Sequence, residues 1–318
     1  MISFVIPCYN EENNVKPMYD LVLDRCKDTK EKFEIIFVND GSKDKTIDNL
    51  RKIVDDSREN VRVIDFSRNF GKESAIFAGL ENSKGDFVAL IDGDLQQDPK
   101  YVVEAVEFLK ENKYFDCVTY FQETRKEGAL MSFIKKTFYK VINKMTDVDF
   151  VENASDFRVL RRNMVDSIIN MKEYYRFSKG IFSWVGFHSH NLPYEVKDRN
   201  SGTTKWGFRK LLKYAFDGII SFTTVPLKFA TYVGAISSFL SVIWIIAVII
   251  EKLFFGIEAP GYATIIILLL LIGGLQLLCL GILGEYLGRT YIETKKRPIY
   301  ISREILDSKE RKWLVCHF

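Results

Sequence analysis

Phe87-Val-Ala-Leu-Ile-Asp92-Gly-Asp94-Leu-Gln96 is an apolar run that ends abruptly in two carboxylates two residues apart. In extended chain, residues i and i+2 point to the same side, so Asp92 and Asp94 can converge on one cation. A hard divalent ion such as Mg2+ or Mn2+ takes oxygen ligands and commonly shares them with substrate phosphates. The stretch therefore reads as a strand that delivers a metal to a phosphorylated substrate at its carboxyl end. An Asp-Gly-Asp triplet also fits a plain solvated turn, and the surrounding sequence has to separate the two.

Outward from this run, short apolar segments alternate with helical patterns. Ile2–Ile6, Glu34–Val38, Val61–Phe66, Phe87–Ile91 and Asp116–Tyr120 read as strands, and residues 14–29, 44–57, 71–82 and 99–111 as helices. Such alternation predicts an α/β fold, a mostly parallel sheet covered on both faces. In these sheets ligands bind at the carboxyl ends of the strands. Three post-strand sequences become site candidates: Pro7-Cys-Tyr9-Asn10-Glu11-Glu12, Asn39-Asp40-Gly41-Ser42 and Asp92-Gly93-Asp94-Leu95-Gln96. The first turn has no glycine, which argues against a dinucleotide-binding loop, and no Walker-type lysine loop is present. With both phosphate-cradling solutions missing, a metal-based one gains weight. Asp40 reads either as the cap of the helix that follows or as an acceptor for a nucleobase or ribose.

Composition adds bounds. The net charge of +3 implies no global field for nucleic acid. Cys8, Cys26, Cys117, Cys279 and Cys316 show neither a CxxC nor a His-paired pattern, so reduced thiols are expected rather than a zinc site or disulfides. The N-terminus opens directly on a strand-like run, with no cleavable leader expected. Phe229 to Ile250 has no charge, and Gly261 to Leu283 has Gln276 as its one strongly polar interruption. Each is roughly 22 residues, about 33 Å as helix, enough to cross a hydrocarbon core. Two buried core helices are the alternative. Lys205, Arg209, Lys210, Lys213 and Lys228 precede the first run; Arg289, Lys295, Lys296, Arg297 and Arg303 follow the second. The positive-inside bias then puts both termini on the cytoplasmic face of the cell membrane.

These residues together resemble the family 2 glycosyltransferases with a GT-A fold. More narrowly, they are similar to the polyprenyl-phosphate glycosyltransferases of the bactoprenol glucosyltransferase and dolichol-phosphate mannose synthase type. The resemblance spans nearly the whole chain. It rests on Val5-Ile-Pro7-Cys-Tyr9-Asn10-Glu11, Val38-Asn-Asp40-Gly-Ser42, Asp92-Gly-Asp94-Leu-Gln96, Ser155-Asp156-Phe-Arg158, Arg199-Asn-Ser-Gly202-Thr-Thr-Lys205 and the paired terminal spans. It implies that Pro7, Tyr9, Glu11, Val38, Gly93 and Arg125 line a nucleotide-sugar pocket, with Asp40 reading base or ribose. Asp92, Asp94 and Gln96 would hold Mg2+ or Mn2+ and, through it, the diphosphate. The usual proline pair after the motif's Gln is replaced here by Gln97-Asp98-Pro99, a small departure.

The implied acceptor is a polyprenyl phosphate such as undecaprenyl phosphate. A phosphate monoester is largely dianionic near neutral pH and needs little help from a base. Asp156, which the resemblance nominates as catalytic beside Asp94 and Arg199, is left between base, acceptor positioning and pairing with Arg158 or Arg161. Arg125, Arg199 and Lys205 are the candidate donors to the lipid phosphate, with solvated surface charge as the alternative. The segments Met131–Met145 and Trp206–Ile220 carry apolar and lysine-rich faces, and read as helices lying in the membrane interface or packing on the sheet.

The expected organisation is a transferase domain over 1–200, containing the amphipathic helix at 131–145. A membrane-proximal helix at 201–225, a transmembrane hairpin at 226–288 and a basic cytoplasmic tail at 289–318 follow. The expected reaction is inverting, metal-dependent transfer of one hexose, glucose from UDP-glucose being favoured. A processive polysaccharide synthase is the rival enzyme, but no Gln-x-x-Arg-Trp motif occurs; an inactive tethered binding protein is the non-enzymatic rival. Gly284-x-x-x-Gly288 suits packing within the hairpin or against a second copy, so a homo-oligomer is an open expectation.

Overall fold

The computed structural model describes residues 1–122, 143, 154–195, 220–255 and 261–309. The chain forms two compact units, Met1–Gly218 together with Pro298–Phe318, and Ile219–Arg297.

The first unit is built on an eight-stranded mixed sheet. In chain order its strands are β1 (Ile2–Cys8), β2 (Phe33–Asn39), β3 (Asn60–Phe66), β4 (Phe87–Leu90), β5 (Cys117–Gln122), β6 (Ala154–Arg161), β7 (Ser189–Tyr194) and β8 (Ser302–Asp307). The spatial order is β7-β5-β6-β4-β1-β2-β3-β8. β4, β1, β2 and β3 run parallel. The linking helices are α1 (Val15–Cys26), α2 (Thr46–Asp56), α3 (Lys72–Glu81) and α4 (Lys100–Glu111). Short helices α5 (Arg162–Asn170) and α6 (Ser178–Trp184) follow β6. The expected strand and helix alternation is present, with element ends displaced by a few residues at most.

The central strands are apolar nearly throughout because helices cover both of their faces. Phe4, Ile6, Ile35, Phe37, Val61 and Val63 are fully buried. α2 turns Thr46, Leu50, Ile53 and Val54 inward, and α4 turns Val102, Ala105, Val106 and Leu109 inward; both are one-sided apolar stripes. α3 differs. Ser74 through Leu80 are all buried, and Gly79 lies so close to β1 that an added Cβ would fall 2.1 Å from Val5 Cγ1.

Two departures from simple alternation matter for the site. β6 enters antiparallel between β4 and β5, so its first residues lie beside the carboxyl end of β4. And the segment read as a basic tail contains β8, which returns to the sheet antiparallel to β3, with Ile64 opposite Ile305 and Arg62 opposite Asp307.

The second unit contains α7 (Val225–Phe255) and α8 (Tyr262–Thr294). Within them Val225–Ile250 and Thr264–Thr294 are long and apolar enough to cross a membrane, and their large side chains are exposed. Tyr286 Oη donates to the Thr223 carbonyl at 2.8 Å and Arg289 Nη1 to Ser221 Oγ at 3.0 Å, which ties the base of the hairpin. A Cβ added at Gly273, Gly274, Gly281, Gly284 or Gly288 would meet nothing within 4 Å, so among the described residues the hairpin itself does not use these glycines for close packing.

Candidate functional site

The order β4-β1-β2 brings the three post-strand loops side by side, as the carboxyl-edge rule requires. The loops after β1 and β2 are stitched together. Asn10 N–H donates to Ser42 Oγ at 2.9 Å, Lys43 N–H to Asn10 Oδ1 at 2.9 Å and Glu11 N–H to Thr46 Oγ1 at 2.9 Å. Glu11 Oε2 accepts from the amide of buried Asn14 at 2.5 Å. Pro7 and Val38 face each other in the register of β1 and β2, and Tyr9 stands 40% exposed beside them. Asn10 and Leu95 hold positive φ of 56° and 65°. For a bulky Leu this costs about 1 kcal/mol or more, and such strain persists where the surroundings dictate the backbone, as at ligand sites.

Asp40 is buried and already occupied. Its carboxylate accepts the N–H of Phe70 at 2.6 Å and of Gly71 at 3.0 Å. It therefore caps the start of α3 on the neighbouring crossover rather than α2, the helix that follows it in sequence. Burial pushes its carboxyl up to about 6, against the pull of those two N–H donors and of Arg68.

The Asp92 loop is organised by a residue that sequence reading passed over. Gln97, 3% exposed, accepts the Asp92 N–H on Oε1 at 2.9 Å and donates from Nε2 to Asp92 Oδ2 at 3.2 Å. Gln96 instead donates its N–H to Asp94 Oδ1 at 3.2 Å, closing a tight turn. Gly93 packs against Pro7 O and Cys8 Sγ, at 3.2 and 3.3 Å from where a Cβ would stand. Asp98 precedes α4, accepts the Lys100 N–H at 3.0 Å and takes a forked pair from Arg25 at 2.9 and 3.2 Å, which explains the acid that departs from the family pattern as a structural anchor.

Asp156 reaches the same place from the opposite direction. Leu90 of β4 pairs with Arg158 of β6 in antiparallel register, so stepping two residues along each strand sets Asp156 beside Asp92. Between them stands Lys72, at the first position of α3. Its ammonium lies 2.6 Å from Asp92 Oδ1 and 2.7 Å from Asp156 Oδ2. The Lys72 side chain is 45% exposed; the partial loss of hydration beside the two acids would lower its ammonium pKa, but the two carboxylates outweigh this and raise it above its ordinary value. Burial would likewise raise Asp156; Lys72, with Lys179 and Arg158 nearby, holds it well below the usual carboxylate range. Of the two arginines considered as its partners, Arg161 turns away to the carbonyls of Phe115 and Leu109. Arg158 is buried, donates to the Ser155 carbonyl at 3.0 Å and stacks 4.0 Å over the Phe182 ring.

Lys72 had one sequence signal, its position just after Gly71 at the start of the helix that follows β3. Arg125, Arg199 and Lys205 lie outside the described residues, as do nearly all of the segments Met131–Met145 and Trp206–Ile220. The cluster that is described has an acidic pair holding a cation at the carboxyl edge of a parallel sheet. Among the described residues no three His, Cys, Asp or Glu side chains converge as a self-sufficient metal cage. Asp92, Asp94 and Gln96 could offer oxygen donors to a metal, and the ammonium on Asp92 shows that a cation is accepted at that carboxylate. This donor set suits Mg2+ or Mn2+, which completes its shell from substrate phosphates and water.

Comparison with known proteins gives the following. The family described as Glycosyl transferase family 2 matches residues 3–169, and the one described as GtrB C-terminal hairpin matches residues 225–290. The Escherichia coli (strain K12) prophage bactoprenol glucosyl transferase homolog is 38% identical over 305 residues, 96% of this chain and 99% of that one. Bactoprenol glucosyl transferase of Shigella phage SfV is 38% identical over 301 residues, 94% and 97% of the two chains. An uncharacterized glycosyltransferase of Synechocystis sp. is 40% identical over 307 residues, 96% and 95% of the two. Among solved structures, glucosyl-3-phosphoglycerate synthase from Mycobacterium tuberculosis aligns with a TM-score of 0.45 at 20% identity, covering 69% of this chain and 77% of that one.

Proposed function

The chain belongs to the family 2 glycosyltransferases, with their GT-A fold, and from that premise we propose that it moves a single hexose from a nucleotide sugar to a polyprenyl phosphate. Glucose carried on UDP is the favoured donor and undecaprenyl phosphate the favoured acceptor. The observation that carries this reading is the continuity of the match. Relatives named bactoprenol glucosyl transferase align over 94–96% of this chain, through the sheet and the apolar hairpin alike.

The chemistry proposed is a single displacement. An oxygen of the lipid phosphate attacks the anomeric carbon from the face opposite the leaving nucleoside diphosphate, the bond from that carbon to the diphosphate oxygen breaks, and one displacement inverts the centre. Asp92, Asp94 and Gln96 would hold the divalent ion, which when bound neutralises charge growing on the diphosphate. Pro7, Tyr9, Glu11 and Gly93 are proposed to border the nucleotide, with Arg125 joining them, whereas Val38 is wholly buried in β2, paired with Pro7, and supports it instead of lining the pocket. Arg199 and Lys205 are proposed to meet the acceptor phosphate. Asp156 is held ionised by Lys72, and an acceptor that is already anionic asks little of a base, so positioning is the role that fits it best.

The topology supports an anchor inserted from one face. Residues before and after the hairpin belong to one sheet, because β8 pairs with β3. A membrane-crossing α7 and α8 would therefore have to leave and re-enter on the same side, as the basic residues flanking them suggest.

The test is transfer of label from a panel of radiolabelled UDP- and GDP-sugars to undecaprenyl phosphate, with Mn2+, and with Asp94→Ala alongside. Lipid-extractable label from one donor, lost in the variant and on chelation, with a β linkage from an α-linked donor, is the expected result. No lipid-linked label with any donor would overturn the acceptor assignment; an α-linked product would overturn inversion.

A further inference from the structure

Lys72 is placed by three restraints. Gly71 precedes it at φ +99°, a conformation open to glycine. The Asp40 carboxylate holds the N–H groups of Phe70 and Gly71. The next side chain, Glu73, accepts the Ser178 N–H at 2.8 Å and the Ser178 hydroxyl, tying α3 to α6. The lysine stem thus leaves a fixed point, and its ammonium spans Asp92, in the loop after β4, and Asp156 on β6. Gln97 fixes the other oxygen of Asp92, so Oδ1 is the one turned to the lysine.

The position that Lys72 occupies on Asp92 is where a metal bound by that carboxylate would compete. An ammonium at 2.6 Å and a divalent ion cannot share Asp92 Oδ1 without strong repulsion between them. Displacing the ammonium leaves it needing a new anion, and a donor diphosphate brings one. We propose that Lys72 is an internal competitor for the divalent cation: it holds Asp92 and Asp156 in the donor-free site, so that the metal is retained when a nucleoside diphosphate arrives to take up the lysine charge. This rests on the metal-dependent donor site proposed above and adds an order to it. Metal and nucleotide load together, and the acidic pair is kept apart and charge-balanced until they do. Lys72 acts here as a positioning residue for two carboxylates.

Direct Mn2+ binding to the full-length chain in detergent tests this, read from the electron paramagnetic resonance signal of free Mn2+ with and without UDP. The parent protein should bind Mn2+ weakly alone and about tenfold or more tightly with saturating UDP, an ordinary size for coupling between two ligands. Lys72→Met should bind Mn2+ without UDP about tenfold more tightly than the parent, and the further gain from UDP should be smaller than in the parent. Lys72→Arg, which keeps the charge, should stay near the parent, and adding Asp92→Asn to Lys72→Met should abolish the gain. A folded Lys72→Met protein, judged by a retained cooperative thermal transition, whose Mn2+ affinity is unchanged or weaker overturns the inference. Lys72→Gln serves the same comparison should the Met variant fail to fold. A parent protein that takes no Mn2+ even with UDP overturns the metal reading itself, a different outcome from tight Mn2+–UDP binding that ignores Lys72.

Discussion

The carboxylate of Asp40 accepts the backbone N–H of Phe70 at 2.6 Å, so the turn after β2 holds the first residues of α3. A residue whose motif suggests contact with a nucleobase or ribose is thus also the support for the helix that carries Lys72. Burial raises its carboxyl to about 6, above the range of an unfolded chain. Between roughly pH 4 and 6 the folded protein therefore binds more protons than the unfolded one, and this group's contribution makes stability fall as pH rises. The effect is complete above pH 6.

Asp40→Asn should flatten that part of the stability curve by on the order of 2–3 kcal/mol across the window. Unfolding midpoints of parent and variant in detergent, compared at pH 4.5 and 7, measure it. Equal slopes in the two proteins would show that Asp40 is not the source. The difference between variants is needed because burial also raises Asp65 and Glu73.

Gln97→Ala should weaken metal-dependent transfer by about 10–100-fold, the usual cost of losing a partner that orients a metal-ligating side chain. Its amide grips Asp92 at both the backbone N–H and the carboxylate. The loss should appear as a higher Mn2+ requirement in the label-transfer assay. Gln96→Ala is the companion, since Gln96 is the proposed ligand. A normal Mn2+ requirement in Gln97→Ala, with a raised one in Gln96→Ala, would separate ligand from orienter and reject the latter role.

Much of this arrangement is legible in the amino-acid sequence, and the reasons are local. β1 to β4 announce themselves because a parallel strand covered on both faces is apolar along its length. Asp92 and Asp94 are readable because a strand's period of two puts them on one side. β6 escapes because Ala154-Ser-Asp-Phe-Arg-Val-Leu-Arg161 mixes charge into a strand that enters antiparallel. β8 escapes because Ser302-Arg-Glu-Ile-Leu-Asp307 is an edge strand, and edges favour charge. The bridge from Lys72 to Asp92 and Asp156 joins a helix to the loop after one strand and to the start of another, so no spacing in the sequence encodes it.

Gly79→Ala should destabilise the protein by about 1–3 kcal/mol, as overpacking of a filled core does. In an exposed helix the same change would gain about 1 kcal/mol from helix propensity. Here the new Cβ would stand 2.1 Å from Val5 Cγ1, and Val5 is fully buried in β1. The overlap outweighs propensity, so the sign is reversed. Val5→Ala combined with Gly79→Ala should recover part of the loss, and unfolding midpoints of the three variants decide it; a stabilised Gly79→Ala protein would show that α3 stands off from β1.

Asp307→Ala tests whether the last strand belongs to the folded core of the first unit. Arg62 donates to Asp307 Oδ2 from Nε at 3.1 Å and from Nη2 at 2.9 Å, and the side chains are 12% and 7% exposed. Removing one partner of so enclosed a pair leaves a guanidinium short of its counter-charge; among the described residues Arg62 then keeps the Asn82 carbonyl, at 2.8 Å. The expected cost is about 2–4 kcal/mol, near the 3–5 kcal/mol of fully buried pairs and well above the 0–1 kcal/mol of surface ones. Asp307→Asn, which keeps an acceptor oxygen, should cost less. The measurement is again the unfolding midpoint of the full-length chain. A loss no larger than that of a surface pair would mean that β8 rests on the sheet edge without closing it. A large loss would mean that the chain, having passed through α7 and α8, finishes the same domain in which it began, and that the hairpin is a loop inserted into one fold rather than an appended tail.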